Sequence, residues 1–387
     1  MTTEWKAGLE EVIAARSAIC RVDGEAGRLF YRGYEIDDLA GQVPFEAVTW
    51  LLWFGDLPDP GQAEAFARDL AAGWAVPRPV VEMLERLPAS CHPLDALRTA
   101  VSAVAAWDAD VRADDRDANV RKAVRLMGFV PAAVGAWHRI RTGHAPVPPR
   151  PGLGHAAQVL LALTGEAPSP EAARALDAVL TLHADHELNA STFALRVAVA
   201  TLADLHAAVV AALATLKGPR HGGANEDVLA MLREIGDPEA AEAFVAARLA
   251  GRERLSRAER AAPRARVPGF GHRVYRVDDA RARVLRAMAR DLAGATGRDR
   301  LLHVAERVYA AVKARTALPV NVDFFSAVIY DALGIAPDLC TSIFAIARLA
   351  GWCAHALEQA ADNRLIRPRA EYVGPAPRAP ARRSAGA

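Results

Sequence analysis

The sequence predicts a mainly α-helical protein with more than one domain, and three observations carry that prediction. Apolar residues recur at three- and four-residue spacing through most of the chain, the period of helices with one buried face. Strand-like runs are few; residues 28–33 (Arg28-Leu29-Phe30-Tyr31-Arg32-Gly33) form the best candidate, with a short hairpin as an option. The 387 residues exceed one typical domain, and a hydrophobic content of 52% can fill a large core.

Taken in order, residues 45–55, 93–107, 119–142 and 170–183 read as helices of ordinary length, punctuated by Gly or Pro. The proline-rich stretch 145–152 cannot be helix interior, because proline lacks the amide donor and its ring clashes with the preceding turn. The Ala-rich run 193–216 comes nearest to a membrane span. It is broken by Arg196, Asp204 and His206, which suits a buried bundle helix, and no uninterrupted apolar stretch reaches the roughly 18 residues a span needs. Residues 251–266 are strongly charged and rich in arginine, as expected of an exposed arm. The Pro-, Ala- and Arg-rich residues 374–387 read as a mobile tail.

Charge excludes some functions. Lys plus Arg total 47 against 46 for Asp plus Glu, and a net charge of +1 argues against a general nucleic-acid binder. Cys20, Cys91, Cys340 and Cys353 show neither CxxC spacing nor disulfide density, so they read as reduced. No basic segment followed by an apolar run opens the chain, so a cytoplasmic protein off the membrane is expected.

Three segments hold the residues that can do chemistry. Gly218-Pro219 stops a helix ending at Leu216-Lys217, and a new helix is expected near Asn225, with Asn225 as cap and Glu226 and Asp227 in its first turn. His221 falls in the junction, near a helix N-terminus that disfavours imidazolium, with Gly222 and Gly223 leaving room beside it; a histidine in a tight turn is the plainer alternative. Gly269-Phe270-Gly271-His272 sets a second histidine after two glycines, a pattern an ordinary loop also produces. Beyond it Asp278 or Asp279 can cap a helix whose first turn holds Arg281, a cation placed to meet an anion or simply to pair with Asp278. Asp323, in Asn321-Val322-Asp323-Phe324-Phe325, opens an apolar helix reaching about residue 333. It can be a cap, or a base whose pKa is raised by burial among Val322, Phe324 and Phe325. His183-Ala184-Asp185-His186-Glu187 lacks the HExxH pattern and a third ligand, so a hydrogen-bonded substrate site is preferred over a metal.

Taken together these segments resemble the citrate synthase family, in its bacterial and archaeal short form. The resemblance runs from about residue 8 to 374 and includes Tyr31-Arg32-Gly33-Tyr34, His183 to Thr192, Lys217 to Asn225, Gly269 to Tyr275, Asn321 to Ser326, Phe344 to Arg348 and Arg364 to Arg369. It implies a large helical domain (1–221 and 331–374) with a small inserted domain (222–330) and a flexible tail (375–387). It implies Asp323 as the base that takes a methyl proton from an acyl-CoA thioester, His221 as donor to the enol oxygen, and His272 as donor to the carbonyl of oxaloacetate. His186, Arg281, Arg348 and Arg367 would hold the oxaloacetate carboxylates, Arg367 reaching the neighbouring subunit's site in a homodimer. Val267, Gly269, Gly271 and Arg276 align with the CoA-contacting region. No metal or prosthetic group is implied, the CoA thioester being a substrate. Because few residues precede Gly8, control by NADH through an added N-terminal domain is not expected.

The chain departs from the family at Arg220, where leucine is usual, and at Asp279-Ala280-Arg281, where Asp-Pro-Arg is common. The leading expectation is condensation of acetyl-CoA with oxaloacetate to citrate and free CoA. Propionyl-CoA, giving 2-methylcitrate, is the alternative; the one-methylene difference is worth about 1–3 kcal/mol in a pocket. A citryl-CoA lyase and a non-catalytic paralogue stand behind these.

Overall fold

The computed structural model describes residues 5–10, 12–219, 221–251 and 266–378. The expectations for Arg220, for nearly all of the 251–266 arm and for the tail beyond residue 378 lie outside the described residues.

A small antiparallel sheet of β1 (Cys20–Asp23), β2 (Arg28–Tyr31) and β3 (Tyr34–Glu35) opens the chain, in that spatial order, with Cys20 opposite Tyr31 and Asp23 opposite Arg28. Arg32 and Gly33 both take positive φ, 49° and 95°, as a tight two-residue turn between twisted strands demands.

Helices then dominate: α1 (Ile36–Leu39), α2 (Phe45–Phe54), α3 (Pro60–Ala72), α4 (Arg78–Glu85), α5 (Pro93–Val104), α6 (Arg116–Arg141), α7 (His155–Thr164), α8 (Pro170–His183), α9 (Ala190–Ala200), α10 (Leu205–Leu216), α11 (Ala224–Ile235) and α12 (Ala241–Leu249). After residue 266 come α13 (Ala280–Thr296), α14 (Arg300–Arg315), α15 (Val322–Ala332) and α16 (Cys340–Ala361). Side-chain caps start many of them: Asp59 with Gln62 in a capping box on α3, Asp115 on α6, Ser169 on α8, Asn189 on α9, Asp204 on α10 and Asp279 on α13.

α16 is the axis of one group, packed by α2, α5, α6, α8, α9 and α10. With the turn before it (Pro337–Ala361) it is long and apolar enough to cross a membrane by length and composition, but its most apolar 18-residue stretch is wholly buried in the protein. Helices α11 to α15 pack largely on one another, and α13 also lies along α8, which joins the two groups. Apolar side chains from both groups merge into one core.

Several local expectations change. The run 193–216 is two helices, α9 and α10, divided by a turn with Leu202 at φ 65° and restarted by the Asp204 cap. Asn225 is not the cap of α11; Gly223 takes that place without a side-chain bond, and Asn225 is buried, its Oδ1 accepting from the Ser326 hydroxyl at 3.0 Å. Nor does Asp323 cap α15, since the Asn321 side chain accepts from the Asp323 amide. That leaves the Asp323 carboxylate free for other work.

Candidate active site

The loop carrying His272 and the start of α15 are bound into one frame. Gly271 N donates to Pro319 O (2.7 Å), Asn321 N to Gly269 O (2.9 Å) and Asn321 Nδ2 to Gly271 O (3.2 Å), while Phe270 bridges Val320. Gly269 is obligatory here: its φ is 82°, and a Cβ would stand 2.5 Å from the Phe324 ring. His272 and Asp323 therefore share a rigid support. On the other side, Gly222 packs with no room for a Cβ against Leu216 and Thr341, and Thr341 Oγ1 donates to Gly222 O at 3.0 Å. This anchors the junction next to His221.

Hydrogen bonds assign a tautomer to each of these histidines. His272 Nδ1 accepts from the amides of Val274 and Tyr275, both at 3.0 Å, so the neutral ring carries its proton on Nε2. His221 Nε2 accepts from the Ser191 amide at 3.3 Å with the Ser191 hydroxyl at 2.8 Å, which leaves the proton on Nδ1. Both are pushed down to about 4, His272 by burial and then Arg281, His221 by burial and then Arg348. Burial and a cation thus act on His221 in the direction expected of the helix N-terminus, and α11 does begin just beyond it, at Ala224. Burial also holds His186 well below the ordinary histidine value. Its Nε2 is buried without a partner among the described residues, and its ring lies 5.5 Å from that of His272 and 5.6 Å from that of Tyr275.

Two guanidiniums are buried with these rings. Arg281, 3% exposed, donates through Nε (3.0 Å) and Nη2 (2.7 Å) to the two carboxylate oxygens of Asp279, which raises its pKa further against the opposing effect of burial. Asp279, not Asp278, is its partner; Asp278 binds Tyr309 and Lys313 instead. Arg348, 2% exposed, donates from Nε to His183 O at 2.7 Å and lies over the Phe344 ring at 4.5 Å. Among the described residues it has no carboxylate at ion-pair distance, and burial lowers its pKa. Asp323 is half-buried between Val322 and Phe324 and is pushed up to about 6 by burial, with Arg281 and Arg348 pulling it back and Asp279 adding to the rise.

The structure thus brings His186, His272, Tyr275 and Arg281 to one place and sets Asp323, His221 and Arg348 within electrostatic reach of it. Val267 is buried at the base of the Gly269 loop. Two candidates stay outside. Arg276 is exposed, 3.9 Å from Glu25, and Arg367 is exposed in the extended segment after α16. Sequence reasoning missed Ser191, which fixes the His221 tautomer, and Tyr275, whose buried hydroxyl lacks a partner among the described residues. It also missed Asp185, fully buried 3.3 Å from His355. Only the run of polar residues from His183 to Ser191 could have signalled Ser191 and Asp185. Among the described residues no group of three or more His, Cys, Asp and Glu converges to hold a metal ion.

Such a site, with two neutral histidine donors, a carboxylate of raised pKa and a buried unpaired guanidinium, suits proton abstraction next to a carbonyl beside a bound dianion. Comparison with known proteins agrees. Residues 8–369 match the model of the citrate synthase C-terminal domain. The chain is 44% identical over 369 residues to citrate synthase 2 of Bacillus subtilis, covering 95% of each, and 38% identical to 2-methylcitrate synthase of Mycobacterium tuberculosis, covering 95% of this chain and 90% of that one. The fold superposes with a TM-score of 0.89, at 32% identity and 98% coverage of both chains, on citrate synthase of Thermoplasma acidophilum in ternary complex with carboxymethyl coenzyme A and oxaloacetate. By sequence, fold and the placing of its motifs, the chain belongs to the citrate synthase family.

Proposed function

We propose that this protein condenses acetyl-CoA with oxaloacetate to give citrate and free CoA. The observation that carries the reading is the pair of fixed tautomers, which leaves His221 Nδ1–H and His272 Nε2–H as donors. The Asp323 carboxylate removes a methyl proton from the thioester while His221 donates to the oxygen of the enol being formed. The enol carbon attacks the keto carbon of oxaloacetate, and His272 hands its Nε2 proton to the oxygen that becomes the citrate hydroxyl. Water then cleaves the citryl thioester and CoA leaves. Arg348, Arg281 and His186 hold the oxaloacetate carboxylates, planar guanidiniums suiting them through paired bonds. The chemistry is carried by side chains, with the CoA thioester as substrate held along Val267, Gly269, Gly271 and Arg276.

Helices α11 to α15 form the small domain, residues 222–330, which closes on the large domain over bound substrate and excludes water. In support, they pack chiefly among themselves, and the ring of His272 from this group meets that of His186 from the other. A fall in the radius of gyration on adding oxaloacetate tests closure. The working unit is a homodimer in which Arg367 enters the neighbouring site. Its exposure, together with exposed Trp5, Ile13, Leu365, Tyr372 and Val373 at the two ends of the described chain, supports a covered surface there. Sedimentation as a monomer at micromolar concentration would remove that reading. The free cysteines suit the cytoplasm.

The deciding assay is release of CoA thiol from acetyl-CoA and from propionyl-CoA with oxaloacetate. Higher kcat/KM with acetyl-CoA is expected; the reverse makes the enzyme a 2-methylcitrate synthase, and no release from either refutes the condensation.

A further inference from the structure

The hairpin of β1 and β2 touches both histidine-bearing segments of the oxaloacetate pocket. On one side, Val22 N donates to Glu187 Oε1 at 2.7 Å. The Tyr31 hydroxyl donates to the Asp185 carbonyl (2.9 Å), with the Thr181 carbonyl also within reach of its one proton (3.2 Å), and accepts from the Asp185 amide (3.1 Å). These bonds pin the turn that carries His186. The turn is strained, with Glu187 at φ 50°, a left-handed conformation uncommon outside glycine, and its amide is held by the Asp185 carboxylate at 3.2 Å.

On the other side, the turn between the strands lies against the segment that follows His272. Gly24 O accepts from Arg276 N at 2.9 Å. A Cβ at Gly24 would stand 2.5 Å from the Val274 carbonyl oxygen, and one at Gly27 would stand 2.7 Å from Val277 Cγ2. The amides of Val274 and Tyr275 are the donors that fix the His272 tautomer. Between the two sides sits the Tyr275 ring, 4.7 Å from His272 and 5.6 Å from His186.

We infer that the hairpin is a positioning element that sets the spacing of His186 and His272 so that both address one oxaloacetate, with Gly24 and Tyr31 as its positioning residues. The inference rests on the oxaloacetate reading of the site given above. Neither residue touches substrate. Gly24 acts by being absent: its backbone does not take a positive φ, so alanine fits there conformationally, and any effect of a methyl group comes from displacing Val274. Tyr31 acts through its hydroxyl, which closes the backbone of the His186 turn.

The test uses the full-length enzyme as wild type, Gly24→Ala, Tyr31→Phe and, as control, Gly294→Ala, a glycine of α13 with open space around it. Steady-state kinetics are combined with the infrared stretch of the labelled keto carbonyl of bound oxaloacetate, which moves to lower wavenumber when a donor polarises it. In Gly24→Ala, turnover should fall about ten- to hundredfold, the scale of a small misplacement of a reacting group. Its carbonyl stretch should return toward the free value. Tyr31→Phe should chiefly raise KM for oxaloacetate, and Gly294→Ala should match wild type. A wild-type carbonyl stretch and wild-type kinetics in both hairpin variants overturn the inference, as does a lowered melting temperature with the stretch unmoved. A wild type that shows no carbonyl shift refutes the oxaloacetate reading itself, and the hairpin's role with it; the wild-type spectrum tells these failures apart.

Discussion

Two walls of the pocket each bury an arginine, and they treat it in opposite ways. On α13, Arg281 is locked to Asp279 by paired hydrogen bonds, and Asp279 also caps the helix through the Arg281 amide. On α16, Arg348 has a carbonyl and an aromatic face for company and no carboxylate at ion-pair distance among the described residues. A buried ion pair is close to self-sufficient, whereas a buried unpaired cation costs stability until an anion arrives. The α13 wall is therefore built for rigidity, and on the proposed function the α16 wall holds the charge that the substrate would neutralise.

Substitution separates the two duties. Arg281→Met strands the Asp279 carboxylate in the interior and should cost about 3–5 kcal/mol of stability, the usual result of breaking one side of a buried pair. Urea unfolding measures it. Arg348→Met removes a buried charge that has no carboxylate beside it and leaves only the His183 carbonyl without its donor, so its unfolding midpoint should fall far less than that of Arg281→Met. Its affinity for oxaloacetate should fall by about 2–5 kcal/mol, the range for truncating one partner of a buried charge pair, as read by titration calorimetry. Equal destabilisation by the two variants would erase the distinction.

Asp323 stands between the walls and reports on both. Its pKa in the folded protein, about 6, lies above the ordinary carboxylate value, so the folded state holds its proton more tightly than the unfolded chain does. Stability contributed by that group is present at low pH and is lost as pH rises through about 6, while the basic form that the proposed proton abstraction requires appears over the same interval. The acid limb of kcat/KM should bend near pH 6, and Asp323→Asn should be inactive yet melt higher than wild type at pH 8 and no higher at pH 4. The smallest effect belongs to Ser191→Ala. The variant keeps the amide bond to His221 and loses the hydroxyl, which also accepts from Trp352 Nε1 and bonds Asn189 Oδ1; the contact to His221 itself is worth about 0.5–1.5 kcal/mol, or roughly a two- to tenfold loss of turnover in thiol release.

What could be read in advance followed from local chemistry. Helical periodicity gave residues 170–183 to the residue, and Gly218-Pro219 marked the end of α10. Glycines flagged the His272 loop because only glycine tolerates φ 82° with Phe324 packed on its α-carbon. The caps were harder. Asn225 and Asp323 both looked like helix starters, but long-range burial took Asn225 into the interior and Asn321 claimed the cap beside Asp323. Partner choice was beyond local reading as well. Asp278 and Asp279 are neighbours in sequence, and only the packing of α14 against the segment before α13 gives Lys313 and Tyr309 to one and Arg281 to the other. Ser191 and Tyr31 act across 30 and 154 residues of chain, separations that no spacing rule reports.

Arg367 lies exposed past the end of α16. On the proposed homodimer this has a genetic consequence. Each site draws Asp323 from one chain and Arg367 from the other, so Asp323→Ala and Arg367→Leu are null alleles that damage different partners of the same site. When both alleles are expressed in one cell, a mixed dimer carries both lesions in one site and neither in the other. Two dead copies then complement, and a cell that depends on this enzyme grows with no intact copy at all.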